Sequence, residues 1–114
     1  MVRFVGRERI SQDSFRDAIE RAECGLIDAN LGGGIIKQRI ARQGQGRSGG
    51  YRTVIAYRRA NRAVFLFGFA KSARDNISQN ELIELRNIGS NWLNASEDII
   101  AEALRQGKLE EVKL

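Results

Sequence analysis

Cationic side chains recur at two-residue spacing on segments that are typical of β-strands. Lys37 and Arg39 are two residues apart, and Arg52 and Arg58 are six apart on a later segment. Because successive side chains of a strand point to opposite faces, residues an even number apart share a face. Arginine binds phosphate through two parallel hydrogen bonds, whereas lysine acts as a point charge. The spacing predicts a cationic surface across two neighbouring strands, with Lys71 at the end of a third strand.

Basic residues are concentrated in one block of the chain. Ala29–Arg74 carries ten basic and no acidic residues, whereas Met1–Asp28 carries five basic and six acidic ones. The remaining segment, Asp75–Leu114, carries four basic and eight acidic residues. A block of one sign is typical of a surface that binds a polyanion. Since the block coincides with predicted strands, a polyanion-binding sheet is favoured over a merely solvated surface.

The chain contains no histidine, which excludes a histidine-based triad and most zinc sites. Its acidic residues lie outside the basic block and form no convincing set of converging carboxylates for a metal such as Mg²⁺. RNA, however, carries its own nucleophile, the 2′-hydroxyl. Arginines could stabilise the charge of the transition state, and a lysine among other cations could transfer protons near neutral pH. Cleavage of RNA without a metal or other cofactor is therefore chemically possible.

Two further features have plain structural explanations. The segment Gly44–Gly49 matches a dinucleotide-binding fingerprint by letter, but that motif needs a helix directly after it. A strand pattern beginning at Tyr51 follows instead, so a flexible connection is favoured over a cofactor site. Cys24, the single cysteine, is expected to pack in the core instead of acting as a nucleophile.

Hydrophobic periodicity predicts an α+β domain with a small, mainly antiparallel sheet, an N-terminal helix and C-terminal helices. The expected strands are Val2–Val5, Ile35–Ala41, Tyr51–Arg58 and Ala63–Ala70. The expected helices run from about Gln12 to Cys24, from a capping box at Ser78 to Leu93, and from a capping box at Asn94 to Gln106. The expected connections are a further helical turn over Leu26–Asn30, a loop over Arg42–Gly50 and a hairpin turn over Arg59–Arg62. Ile36, Ile40, Val64 and Leu66 are expected to be buried. Tyr51 and Tyr57 are expected to share one face, where they could stack on bases, although core packing is favoured for Tyr57.

The longest apolar run, Ala63–Ala70, is too short for a membrane span, which needs about 20 residues. The first residues lack the apolar region of a secretion signal. With one cysteine and no internal disulfide possible, a reduced, cytoplasmic protein is expected.

Three stretches together resemble the RelE/ParE toxin superfamily, and within it the HigB-like branch. They are Leu31–Ala41, Gly46–Arg52 and Gly68–Ser78, which contain the motifs Ser-Gly-Gly-Tyr-Arg and Ala-Lys. The resemblance covers about 2–93, with 94–114 as an acidic helical extension of one toxin domain over 1–114. It implies the RelE-like fold and a toxin that inhibits translation by cleaving messenger RNA, usually on the ribosome. It also implies a cognate antitoxin, expected to be of the helix-turn-helix type.

The resemblance also implies roles for individual side chains. Lys37 and Arg39 match the family's basic pair, Arg52 matches an arginine that holds the scissile phosphate, and Lys71 or Arg74 matches a basic residue after the last strand. The other candidates for RNA contact are Arg42, Arg47, Ser48, Arg58, Arg59 and Arg62. The family's frequent C-terminal catalytic tyrosine or histidine has no counterpart, since no tyrosine follows Lys71. Two alternatives therefore stay open: a non-catalytic toxin of the ParE type that acts on DNA gyrase, and a plain nucleic-acid-binding module.

Overall fold

The computed structural model describes residues 2–5, 12–42, 46–59, 61–70 and 76–111. These ranges form six strands and three helices. In chain order they are β1 Val2–Val5, α1 Gln12–Glu23, β2 Ala29–Gly32, β3 Ile35–Arg42, β4 Gly46–Arg58, β5 Arg62–Ala70, α2 Gln79–Asn94, α3 Glu97–Arg105 and β6 Glu110–Glu111.

The strands build one sheet in the order β2-β3-β4-β5-β1-β6. The pairs from β2 to β5 are antiparallel, β1 is parallel to β5, and β6 is antiparallel to β1. A register shift between Val54 and Ile55 marks an irregularity where β4 meets β5. The predicted α+β class with a mainly antiparallel sheet is confirmed.

Helices cover both faces of this sheet, and a separate apolar cluster lies on each. On one face, α1 packs Phe15 and Ile19 against Ile36, Ile40 and Ile55. On the other face, helices α2 and α3 cover the opposite side chains of β3, β4 and β5. That cluster comprises Ile35, Val54, Ala56, Val64, Leu85, Leu93, Ile100, Ala103 and Leu109. The expected burial of Ile36, Ile40 and Val64 is confirmed, while Leu66 is partly buried against the second cluster.

Helix α2 begins with the predicted capping box. The Oγ of Ser78 accepts a hydrogen bond from the amide of Glu81 at 3.1 Å, and Glu81 accepts one from the amide of Ser78 at 2.8 Å. Farther along, Gly89 lets the helix approach the sheet closely. A Cβ at Gly89 would lie 2.4 Å from Cδ1 of Ile35, closer than carbon atoms can approach. The position of α2 over the sheet therefore depends on a glycine at this point.

Three of the expected elements are wrong. Leu26–Asn30 does not form a helical turn: its last two residues begin the edge strand β2, which pairs with β3. Gly46–Gly50 is not a loop but the start of β4, whose Gly46 pairs with Arg42. The cap of α3 is Ser96 and not Asn94, because the Oγ of Ser96 accepts from the amide of Ile99 while Asn94 still belongs to α2.

The expected burial of Cys24 is also wrong. Cys24 is exposed at the end of α1, where its amide continues the helical hydrogen bonding to the carbonyl of Glu20. The strand β6, whose two residues pair with Phe4 and Val5, had no signal in the alternation pattern. None of the helices within the described ranges is long and apolar enough to cross a membrane.

Candidate nucleic-acid interface

Lys37, Arg39 and Arg52 lie together on one sheet face and are called here the cationic face. In the pairing of β3 with β4, Arg39 is directly opposite Arg52, and Lys37 is opposite Val54. Val54 belongs to the core beneath α2, which places all three cations on the α2 side of the sheet. The Nζ of Lys37 lies 3.5 Å from Oδ1 of Asn76, just before that helix begins. The cationic face therefore lies on the sheet beside the chain that enters α2.

Arg39 and Arg52 face each other without an intervening residue, an arrangement that like charges disfavour. Arg39 is 48% exposed and lies beside Asp28. Arg52 is partly buried, and its Nη1 is shielded from solvent without a hydrogen-bond partner among the described residues. A buried donor without an acceptor is unfavourable. An anion that bridges the two guanidinium groups would relieve the repulsion between them.

Asp28 supplies a carboxylate that sequence analysis did not connect with the site. Its Oδ2 accepts from the amide of Arg39 at 2.7 Å, and its Oδ1 lies 3.6 Å from Nη2 of Arg39. Nη1 of Arg21 lies 3.7 Å from Oδ2. Burial opposes ionisation of Asp28, but the amide hydrogen bond and the positive charge of Arg39, together with the charge of Arg21, outweigh it and lower the pKa of Asp28. Asp28 therefore stays ionised beside the cationic face.

Two phenylalanines of β5 lie beside the cationic face, directly across from residues of β4. Phe69 pairs with Arg52 and Phe67 pairs with Val54, with 5.9 Å between the two ring centroids. These aromatic neighbours of the cations were not predicted from the sequence. The period-two spacing of Phe67 and Phe69 was the available signal, but it indicated only a buried strand. The cationic face thus has an apolar aromatic border on its β5 side.

The two tyrosines lie on the opposite face of the sheet. Tyr51 pairs with Ile40, on the side that α1 covers, and Tyr57 packs against the same cluster. The hydroxyl of Tyr57 donates to Oε2 of Glu23 at 2.6 Å. The prediction that both tyrosines share one face is confirmed, and Tyr57 is partly buried against the core cluster beneath α1. Neither tyrosine is placed to act on a ligand of the cationic face.

Arg58 and Arg62 bind the C-terminal end of α2. Arg58 donates to the carbonyl of Leu93 at 3.0 Å and to Oδ1 of Asn94 at 3.3 Å. Arg62 donates to the carbonyls of Trp92 and Ala95 at 2.7 and 2.8 Å, and it forms an ion pair with Glu97 at 3.0 Å. These contacts supply donors to carbonyls at the C-terminal end of α2, where the helical hydrogen-bond pattern stops; the carbonyl of Trp92 also accepts from the amide of Ala95 at 3.3 Å. Only 7% of the Arg62 side chain is exposed, so we expect Arg62 to stabilise the fold instead of contacting RNA.

The structure separates the remaining candidates by position. Arg58 and the exposed Arg59 lie at the far end of β4, about 20 Å along the strand from Arg52 at the usual rise of about 3.3 Å per residue. The backbones of Arg42, Arg47 and Ser48 lie on β3 and β4 at the same end as Arg39 and Arg52. The side chains of those three residues, and Lys71 and Arg74 entirely, lie outside the described part of the chain.

Within the described ranges, no group of three or more carboxylate, thiol or imidazole side chains is arranged to hold a metal ion. The chemistry visible at the cationic face is that of guanidinium and ammonium groups. Such groups can bind phosphate and stabilise developing negative charge on it.

A family model described as the RelE toxin of the RelE/RelB toxin-antitoxin system matches residues 1–112. The chain belongs to this family. The match spans nearly all of the sequence and includes every strand and helix described above. Membership in a toxin-antitoxin family implies an antitoxin as a partner. Searches of curated proteins and of solved structures give no significant match.

Proposed function

We propose that this RelE-family toxin is an endoribonuclease that cleaves messenger RNA on the ribosome, in the cytoplasm, without a metal ion. The observation that carries the proposal is the direct opposition of Arg39 and Arg52 on the sheet face that also holds Lys37. A phosphodiester is an anion of the right size and geometry to accept from both guanidinium groups.

In the proposed reaction, the 2′-hydroxyl of RNA gives its proton to water and its oxygen bonds to the adjacent phosphorus, while the bond from that phosphorus to the 5′-oxygen of the next nucleotide breaks. The products are a 2′,3′-cyclic phosphate and a free 5′-hydroxyl. Arg52 stabilises the extra negative charge that forms on the phosphate oxygens, and Lys37 and Arg39 hold the chain so that attack is in line. Lys71, which directly follows β5, is the proposed donor of the proton to the leaving oxygen.

The same surface is the proposed target of inhibition by the antitoxin. A segment of the antitoxin, a helix-turn-helix protein in this proposal, orders against Lys37, Arg39 and Arg52 and so blocks the approach of RNA. Acidic side chains in that segment would complement the cationic face.

The test compares Arg52→Ala with Arg59→Ala, since both variants remove one positive charge from β4 or the turn directly after it. Messenger RNA on purified ribosomes is treated with each folded protein, and the single-turnover rate and product ends are measured. We expect Arg52→Ala to slow cleavage about 100-fold or more, as loss of one donor to a developing oxyanion does. Arg59→Ala should slow it little, and the products should carry 2′,3′-cyclic phosphate ends.

Equal rates for Arg52→Ala and the parent would refute the assigned site. Intact messenger RNA in arrested cells, together with gyrase-dependent DNA breaks, would instead indicate a toxin of the ParE type. Salt-sensitive RNA binding without any cleavage would indicate a nucleic-acid-binding module.

A further inference from the structure

Asp28 is held rigidly, although it lies in a connection before an edge strand. Its amide donates to Oε1 of Gln38 at 2.8 Å, and Gln38 is completely buried in β3. The Nε2 of Gln38 donates in turn to the carbonyls of Ala18 and Leu26, both at 3.1 Å. This buried amide therefore fixes the connection between α1 and β2 against the sheet and sets Asp28 beside Arg39.

The carboxylate of Asp28 has anchors that do not depend on the side chain of Arg39. The amide of Arg39 donates to Oδ2 at 2.7 Å, and Arg21 approaches the same oxygen. Arg21 is itself oriented by an ion pair with Asp17 at 3.0 Å and by a hydrogen bond to the carbonyl of Arg39. The negative charge of Asp28 thus stays in place when the guanidinium of Arg39 moves.

The guanidinium of Arg39, by contrast, is paired loosely. Its Nη2 lies 3.6 Å from Oδ1 of Asp28, beyond ordinary hydrogen-bond length, and about half of the side chain is exposed. Pairs of this kind contribute little because water and salt screen them. Arg39 is therefore free to exchange one anion for another, while Arg52, opposite it, has an unpaired donor.

We propose that Asp28 is an internal competitor for RNA phosphate: it pairs with Arg39 in the free protein, and RNA binds by taking Arg39 from it. This inference rests on the proposed RNA-cleaving function of the cationic face. The competitor lowers affinity for any polyanion that contacts Arg39 alone, and it favours a phosphate that Arg39 and Arg52 bind together. Asp28 thus acts as a positioning and selectivity residue without touching the RNA.

The test measures binding of a short single-stranded 2′-O-methyl RNA, whose blocked 2′-oxygen prevents cleavage, over a range of salt concentrations. Asp28→Asn keeps an oxygen acceptor for the amide of Arg39 but removes the charge. We expect this variant to bind about two- to fivefold more tightly, the worth of a loosely held surface pair. In the parent, the carboxylate that Arg39 leaves takes up a cation from solution, which offsets part of the cation release that RNA binding causes. Without that carboxylate, the slope of log affinity against log salt should steepen by up to about 0.7.

Asp17→Asn is the matched control, because it removes the same charge from the other partner of Arg21 and does not contact Arg39. Its effect on affinity and slope should be clearly smaller. In an Arg39→Ala background, Asp28→Asn should have no effect beyond that of Asp17→Asn. The competition would be overturned if Asp28→Asn and Asp17→Asn changed RNA affinity equally, or if Asp28→Asn kept its full effect in the Arg39→Ala background. It would also be overturned if no variant bound RNA. A protein that shows the exchange but does not cleave unmodified RNA would instead refute the proposed function alone.

Discussion

Replacing Arg62 by alanine should unfold this protein more easily without removing an RNA contact. Its guanidinium donates to the carbonyls of Trp92 and Ala95 and pairs with Glu97. Hydrogen bonds to a charged donor contribute about 1.5–3 kcal/mol each when buried. The pair with Glu97 adds little, because that carboxylate is largely in solvent. In the variant, water partly replaces the lost donor at both helix-end carbonyls, so the loss stays near the lower end of this range for each bond. We therefore expect the free energy of unfolding to fall by about 3 kcal/mol.

This loss corresponds to a large shift in melting temperature. The unfolding entropy of a chain of this length near 60 °C is about 0.24 kcal/mol/K, so 3 kcal/mol lowers the melting temperature by about 12 °C. Thermal and urea unfolding, followed by circular dichroism, measure the change directly. RNA affinity, measured well below the melting point, should stay within about twofold of the parent because Arg62 does not reach the cationic face.

Arg59→Ala provides the matched control, since Arg59 is an exposed residue of the turn three positions earlier. It removes the same charge and should change stability by less than about 0.5 kcal/mol. A melting temperature of Arg62→Ala within about 3 °C of the parent would refute the stabilising role of Arg62. A variant that keeps its melting temperature and loses RNA affinity in a salt-dependent way would show that Arg62 contacts RNA.

Two further predictions concern stability. Gly89→Ala should lower the free energy of unfolding, measured by urea denaturation, by about 1–2 kcal/mol, because the clash with Ile35 outweighs the better helix propensity of alanine. Asn87→Ala, at an exposed position of the same helix, should not lower it. Equal stability of the two variants would mean that α2 shifts freely to accommodate the added methyl group. The lowered pKa of Asp28 means that its carboxylate stabilises the fold above the ordinary value of 3.8, and that this contribution disappears as the pH falls through the lower folded-state pKa. The stability difference between the parent and Asp28→Asn should therefore be constant from pH 7 to pH 5 and shrink below about pH 4, and a difference that persists unchanged at pH 2 would contradict the ionised state.

The elements that the sequence predicted well are those with local signals. Ile36 and Ile40 alternate with cations, and both are buried in β3 as expected. The spacing of Ser78 and Glu81 predicted a capping box, and both of its hydrogen bonds are present. In each case the residues that determine the local structure lie within a few positions of one another, so their spacing in the sequence is enough to predict it.

The elements that the sequence predicted wrongly depend on distant partners. The edge strand β2 exists because Ala29 and Asn30 pair with β3, and no alternation within so short a segment indicates a strand. Arg62 was expected at an exposed turn, but its acceptors are carbonyls at the end of a helix some 30 positions later. Charge counting could not separate arginines that stabilise the fold from arginines that remain available to a ligand.

For the candidate site, alternation placed Lys37, Arg39 and Arg52 on compatible strand faces, and the register of β3 with β4 brought Arg39 opposite Arg52. The contact between Asp28 and Arg39 could not be predicted from the sequence, for a physical reason. Asp28 directly precedes the basic block, in a segment expected to be helical, and only the pairing of β2 with β3 brings it to Arg39.

The buried amide of Gln38 has a consequence for strand registration during folding. Sliding β3 by two residues along its neighbours would preserve the alternation of apolar and cationic side chains, so hydrophobic burial alone hardly distinguishes the two arrangements. The slip would, however, put an isoleucine in the place of Gln38, so that the amide of Asp28 would lose its acceptor and the carbonyl of Leu26 would lose the donor that Gln38 supplies. Buried polar groups without partners are strongly disfavoured, so this single glutamine discriminates against the misaligned sheet.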